Sequence, residues 1–335
     1  MSTQPVSHPA PHILVTGGAG FIGSHLVERL LANGESVVVI DDLSTGSLEN
    51  LRAVSADKKL RVIQSKVSTC NELPELTMNA KAIYHLAAAV GVDLVVKSPL
   101  HTLQTNLHET EVILNLAAIH HVPLLLTSSS EVYGKSEKTE FRESDDLLIG
   151  PPSQSRWGYA CSKLVDEFLA LAYGRERGLP VGAVRLFNTV GPRQTGRYGM
   201  VLPRFIASAQ KNEAIQVFGD GLQSRCFCNV KDTVRAVIAV SEHPGAVGEI
   251  YNVGSRHEIT ILDLARRIQA RADSRAEIKL IPYAQAYAAG FEDMRRRVPA
   301  IDKINAAIGW QPGIELDQTL DEVIADTRVQ LRSPA

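Results

Sequence analysis

A doubly wound α/β fold with a parallel sheet and a smaller, discontinuous C-terminal lobe is predicted by three features of the sequence. Short β-rich runs alternate with helix-length segments through the first half, a glycine-rich turn separates the first strand from the first helix, and glycine and proline punctuate the chain after about Asn188. Ile13 to Thr16, Val37 to Ile40, Arg61 to Gln64, Ala82 to Leu86, Leu124 to Thr127 and Val181 to Leu186 read as strands, and the helical patterns between them make βαβ units. Between the first two strands, Ser24 to Asn33 puts Leu26, Val27, Leu30 and Leu31 on one helical face, and Gly34 is the stop. Beyond Asn188 the segments Phe227 to Ser241 and Ile250 to Val253 are expected to return to the main sheet. The predicted organisation is a disordered tail over 1–11, a sheet domain over 12–187 plus about 227–253, and a lobe over 188–226 plus about 254–335.

The composition, 44% apolar and 21% charged over 335 residues, is that of a globular protein able to bury a sizeable core. A net charge of -2 gives no electrostatic footprint for nucleic acid or an anionic membrane, so an anionic ligand must be met by a local basic pocket. The four cysteines form no C-x-x-C pair and are too few for a disulfide framework, and no run of 18 apolar residues spans a bilayer; a cytoplasmic location is expected. Cys226-Phe-Cys228 places two sulfurs on one face of a strand if the segment is extended. Without further ligand residues nearby in sequence, core packing is the expected role and no metal site is predicted.

The run Ile13-Leu-Val-Thr-Gly17-Gly-Ala-Gly20-Phe-Ile-Gly23-Ser24 is strand, turn and helix start in direct succession. Such a turn lets backbone N–H groups and a helix N-terminus approach a pyrophosphate where a Cβ would obstruct, which marks a Rossmann-type dinucleotide site. Asp41 ends the second strand 24 residues after Gly17, where a carboxylate accepts from both ribose hydroxyls and repels a 2′-phosphate. NAD is therefore expected over NADP, with Asp42 read as a solvated turn residue.

Tyr159-Ala-Cys-Ser-Lys163 has the spacing that places a phenol and an ammonium on one helical face, and a cation there is expected to lower the phenol pKa so that Tyr159 acts as a general base. Upstream, Leu124-Leu-Leu-Thr-Ser128-Ser129-Ser130-Glu131 ends a strand in hydroxyls and a carboxylate, at the sheet edge where open α/β sheets bind ligands.

Thr16-Gly-Gly-Ala-Gly-Phe-Ile-Gly23, His85-Leu-Ala-Ala88, Ser128-Ser-Ser-Glu-Val-Tyr-Gly134, Tyr159-x-x-x-Lys163 and Asn188-Thr-Val-Gly-Pro-Arg193 occur in that order, and together they resemble the extended short-chain dehydrogenase/reductase family of nucleotide-sugar epimerases, dehydratases and decarboxylases. The resemblance covers nearly the whole chain after the tail. It implies oxidation of a nucleotide-linked sugar at C4, with Ser129 bonded to the reacting hydroxyl, Tyr159 taking its proton and Lys163 holding the nicotinamide ribose. It assigns cofactor contacts to Gly17, Gly20, Phe21, Ile22, Gly23, Asp41, Leu86, Ala87, Asn106, Tyr159 and Lys163. Ser130, Asn188, Arg193, Arg225 and Arg297 become contacts to the sugar and its diphosphate, for which a planar guanidinium fork is suited. Family members often carry an Asp after the third strand for adenine; Ser65-Lys66-Val67 stands there in this chain.

Three fates of the 4-keto sugar are open. Dehydratases of the family commonly have Asp-Glu at the positions of Ser130-Glu131, and a serine is a poor acid. Ser-Glu resembles UDP-glucuronate decarboxylases and also GDP-mannose dehydratases, so Ser130 does not decide between them, whereas Ser162 before Lys163 resembles UDP-sugar 4-epimerases. A UDP-sugar 4-epimerase is the first expectation, with UDP-glucuronate decarboxylase and 4,6-dehydratase as alternatives. A non-catalytic NAD-binding sensor or scaffold would have no use for Tyr159 and Lys163. The helices near Ser98 to Ile119 and Tyr159 to Gly174 imply, by the same resemblance, a homodimer joined through a four-helix bundle.

Overall fold

The computed structural model describes residues 11–91, 97–196, 200–286 and 294–332. Apart from Pro11, the tail predicted to be disordered lies outside the described residues. The main sheet is built from β1 (His12–Thr16), β2 (Val37–Asp41), β3 (Leu60–Gln64), β4 (Ala80–His85), β5 (Leu124–Ser129), β6 (Val181–Leu186) and, much later in the chain, Ile250–Val253. All its pairings are parallel, in the order Ile250–Val253, β6, β5, β4, β1, β2, β3. Strands such as Val37-Val-Val-Ile are buried on both faces because helices cover both, the arrangement that parallel sheets require.

On one face lies α1 (Phe21–Ala32), joined by the late helix Val230–Glu242. On the other lie α2 (Leu73–Met78), α3 (Pro99–His120) and α4 (Arg156–Arg177). Leu26, Val27, Leu30 and Leu31 of α1 pack on the sheet with Val15 and Val39, as the helical pattern predicts. Two boundaries differ from expectation. The first helix starts at Phe21, directly after Gly20, and α4 starts at Arg156, one turn ahead of Tyr159.

The rest of the chain adds β7 (Thr189–Val190), α5 (Val201–Lys211), β8 (Ile215–Phe218), β9 (Ser224–Cys226), β10 (Cys228–Asn229), α6 (Val230–Glu242), β11 (Ile250–Val253), β12 (Glu258–Thr260), α7 (Ile261–Arg271), β13 (Ile278–Ile281), α8 (Asp302–Ile308) and α9 (Leu316–Arg332). A second core gathers Leu202 and Phe205 of α5, Val217 of β8, Leu264 of α7 and Leu320 of α9. Ile301, Ile304 and Trp310 do not join it. They pack with α1 and α6 against the main sheet, so the segment after 254 serves both bodies. The two cysteines near β9 also depart from the single strand face expected of them. Cys226 pairs with β12 and Cys228 with β7, and burial pushes both thiols up to about 12.

Strand order reverses between β1 and β4, and the crevice at their carboxyl ends is the topological switch point where such sheets bind ligands. Behind it His85 ends β4, its Nδ1 2.7 Å from Thr16 Oγ1 and its Nε2 3.1 Å from Thr110 Oγ1. Burial, with the charge of Lys163, holds this imidazole neutral down to about pH 3. An unfolded histidine takes its proton near pH 6.5, so the unfolded chain binds more protons below that pH and stability falls as pH drops from about 6.5 toward 3. Thermal unfolding should show a steeper loss of Tm between about pH 6.5 and pH 4 in the wild type than in His85→Asn; equal slopes would contradict a buried neutral His85.

Candidate active site

A cavity of about 690 Å3 runs from the glycine turn across the carboxyl edge of the sheet into the second core. Its first wall is the turn between β1 and α1. Gly17 has φ +72°, and a Cβ there would stand 2.7 Å from the Ala87 backbone nitrogen; at Gly23 a Cβ would stand 2.1 Å from the Gly17 carbonyl oxygen. The turn is thus closed on itself, and it presents Gly20, Phe21 and Ile22 to the cavity at the N-terminus of α1. Opposite, Leu86 and Ala87 extend β4 along the same wall.

Asp41 is buried at the end of β2, where its Oδ2 accepts from the Ala19 N–H at 2.9 Å and its Oδ1 from the Leu43 N–H at 2.8 Å. Burial raises its pKa and those two donors oppose the rise, so a carboxylate is fixed in orientation at the cavity wall. Asp42 accepts from Ser44 N–H and hydroxyl, as a turn residue does. The cavity's far end is lined by Ser65, Lys66, Val67 and Glu109, whose carboxylate is held by the Ser68 N–H and hydroxyl at 2.7 and 2.6 Å. The cradle fits NAD: glycines where a Cβ would collide, a helix N-terminus for the pyrophosphate and an oriented carboxylate at the ribose position.

The chemical half of the cavity is assembled by β5 and α4. Ser129 ends β5 and its hydroxyl accepts from the Glu131 N–H at 3.2 Å, capping the short 3-10 turn Ser130–Tyr133. The same hydroxyl lies within hydrogen-bonding reach of the Tyr159 phenol. Arg156, Tyr159, Lys163 and Asp166 follow at intervals of three, four and three residues, which makes one stripe along α4. Lys163 Nζ donates to Asp166 Oδ2 at 3.0 Å, with both side chains buried.

That pair corrects one expectation. Lys163 is engaged by Asp166, and Tyr159 is held well above its ordinary pKa, by burial first and by the Glu131 charge second, with Ser129 opposing. Glu131 is the reverse case. Burial raises it, but Arg297 at 2.7 Å and Arg156 at 3.6 Å more than compensate and hold its carboxyl at about 2. Among the other predicted substrate contacts, Ser130, Asn188, Arg225 and Arg297 all line the cavity.

Two predicted residues do not face it. Arg193, at φ +70°, turns its side chain to α1, where its Nη2 meets Glu28 at 2.5 Å and its Nη1 meets Ser24 Oγ at 3.2 Å, while its N–H donates to Asp326 of α9 at 3.0 Å. It ties the loop after β7 to the first helix and is not among the residues that line the cavity. Asn106 is fully buried in α3; it accepts from the Ala89 N–H at 2.7 Å and donates to Ser162 Oγ at 3.0 Å, bracing the loop after β4 against α4. Sequence reasoning missed Arg156 and Asp166, although both stand on the helical stripe that Tyr159 and Lys163 define.

The glycine cradle and the oriented Asp41 fit a dinucleotide, and Ser129, Tyr159 and Lys163 line the same cavity. The family model described as the NAD dependent epimerase/dehydratase family matches residues 13–254, and the chain belongs to that family. It is 37% identical over 312 residues to the UDP-N-acetyl-alpha-D-glucosaminuronate decarboxylase of Bacillus cytotoxicus, covering 93% of this chain and 96% of the relative. It is 34% identical to UDP-glucuronic acid decarboxylase 3 of Arabidopsis thaliana, covering 99% of this chain and 97% of the relative. The solved UDP-N-acetylglucosamine 4-epimerase of Methanobrevibacter ruminantium superposes with a TM-score of 0.86 at 28% identity, covering 96% of this chain and 99% of that one. The protein is an NAD-dependent enzyme of the nucleotide-sugar epimerase, dehydratase and decarboxylase group.

Replacing Tyr159 by Phe removes only the proton-accepting oxygen. Turnover should fall by about 10²- to 10⁴-fold while NAD binding, read by fluorescence titration, stays near the wild-type value. Wild-type turnover in this variant would remove Tyr159 from the chemistry.

Proposed function

We propose that the protein decarboxylates a UDP-linked hexuronate by way of transient oxidation at sugar C4. The observation that carries this reading is the likeness over nearly the whole chain to decarboxylases of UDP-linked uronic acids, and Glu131, held ionised between Arg156 and Arg297, argues against dehydration. A 4,6-dehydratase needs an acid for the departing hydroxyl and a base for the C5 proton. Ser130 is a poor acid, and a carboxylate stabilised so strongly is a poor base. Loss of CO2 asks for neither. Once C4 is a ketone, a C6 carboxylate is β to a carbonyl, and the electrons of the C5–C6 bond pass into the C4 oxygen.

In this scheme Tyr159 takes the C4 hydroxyl proton while Ser129 positions the oxygen. NAD, when bound, would supply the acceptor and later the donor of the C4 hydride. The protonated Tyr159 and Ser129 then hydrogen-bond the developing enolate oxygen, where charge accumulates as CO2 leaves. C5 takes up a proton from a water molecule, and Tyr159 returns its own to the C4 oxygen at the end. The balance is one proton consumed and one CO2 released per sugar. Lys163, seated against Asp166, holds the nicotinamide ribose. Asn188, Arg225 and Arg297 receive the sugar and diphosphate, with Arg297 shared between the ligand and Glu131.

A second reading, 4-epimerisation of a UDP-sugar, is favoured by Ser162 before Lys163 and by the likeness to the solved 4-epimerase. A cytoplasmic location fits the free cysteines Cys70, Cys161, Cys226 and Cys228. We also infer a homodimer. Opposite its catalytic stripe, α4 exposes Val165 and Phe168, and α3 exposes Leu100 and Ile119, an apolar surface of the kind that partners cover.

Incubation with NAD and UDP-glucuronate, its N-acetylamino counterpart and the corresponding neutral UDP-sugars, followed by NMR and mass spectrometry, separates the readings. Loss of CO2 from an acidic substrate is expected; an unchanged mass with inverted C4, or loss of water, would overturn decarboxylation. Light scattering at micromolar concentration should show two copies, and a monomer would contradict the dimer.

A further inference from the structure

Asp41 ends β2 beside Gln64 at the end of β3, and the Ser65 N–H donates to the Asp41 carbonyl at 3.0 Å. An adenosine ribose held by the Asp41 carboxylate therefore stands next to the loop that follows β3, and residues 65–68 are within reach of its base. Val67 offers that base an apolar wall, and Lys66 lines the cavity beside it. The adenine amino group is a donor, whereas an ammonium has donors only, so Lys66 cannot receive it. Ser65-Lys-Val-Ser68 contains no acid.

An acid reaches the same place from α3. His101, Thr105 and Glu109 follow one another at intervals of four residues and line the cavity as one helical stripe. Glu109 is the most enclosed of the three, at 6% exposure. Its two oxygens accept from the Ser68 N–H at 2.7 Å and the Ser68 hydroxyl at 2.6 Å, which fixes the carboxylate against the end of the loop after β3. A carboxylate has about four acceptor positions, and Ser68 takes one on each oxygen. The group is thus oriented, buried, at the cavity wall and still able to accept.

We propose that Glu109 recognises the adenine of NAD, its carboxylate accepting a hydrogen bond from the exocyclic amino group. A helix thereby supplies the acid that the loop after β3 lacks. Glu109 takes no part in the proton transfers at sugar C4. Its effect is on cofactor affinity and on which base the cofactor carries.

The test is calorimetric titration of the full chain with NAD and with the NAD analogue whose base is unsubstituted purine, in which hydrogen replaces the amino group. The wild type should bind NAD about 10- to 100-fold more tightly than the analogue, the range of a hydrogen bond to a charged group. Glu109→Ala should bring the two dinucleotides within about 3-fold of each other, and Glu109→Gln, which keeps an uncharged acceptor, should leave an intermediate preference. If Glu109→Ala weakens both dinucleotides equally and keeps the preference, Glu109 only braces Ser68 and the inference is wrong. A wild type that binds both alike overturns it as well. Should Glu109→Ala fail to fold, an undiminished preference in Glu109→Gln is the contradicting result, because an amide oxygen accepts more weakly than a carboxylate.

Discussion

The seating of α4 against β5 and β6 is the constraint on which the site depends. Glu167 grips Arg185 of β6 through two hydrogen bonds, Nε to Oε1 at 3.0 Å and Nη2 to Oε2 at 2.8 Å, with both side chains buried. Arg185 in turn stacks 4.9 Å from the Tyr133 ring, whose hydroxyl donates to Asn252 of β11 at 2.7 Å. This network fixes the rotation of the helix about its own axis. Removing one member would leave a buried charge without its partner, which is far more costly than the pair is stabilising. Because rotation is fixed, Tyr159 faces Ser129 across the cavity and Val165 and Phe168 face outward.

Charge is arranged along the same helix with opposite effects at its N-terminus and at its middle. Toward the N-terminus Arg156 and Arg297 keep Glu131 ionised, and that negative charge is the second cause, after burial, of the raised Tyr159 pKa. One turn further on, Asp166 takes up the ammonium of Lys163. Tyr159 therefore rests as a neutral phenol, a donor to an oxyanion, and takes the C4 hydroxyl proton only after its own proton has passed to solvent.

The parts legible in the sequence were those enforced by local geometry. The Gly17 to Gly23 turn, the strands with uniform apolar runs and the Tyr159 to Lys163 spacing each follow from backbone sterics or helical period. What was not legible depends on partners far away in the chain. Arg193 reads as a ligand contact until Glu28, 165 positions earlier, is brought beside it, and Asn106 until Ala89 and Ser162 enclose it. The lowering of the Tyr159 pKa expected of Lys163 failed for the same reason, since the ammonium had a closer carboxylate. Arg156 and Asp166 were within reach of the sequence. They stand on the helical stripe through Tyr159 and Lys163, one turn beyond it in each direction. In the lobe, where β7, β9 and β10 span two or three residues each, periodicity has too few repeats to register.

The central claim is that C4 lends a hydride within a closed site and receives the same hydride back after C6 is lost. Turnover of UDP-glucuronate carrying deuterium at C4, in ordinary water and analysed by NMR, tests it directly. The account predicts a decarboxylated UDP-sugar that retains deuterium at C4, with solvent hydrogen entering only at C5. Loss of the label to solvent, or its appearance on another carbon, would contradict it.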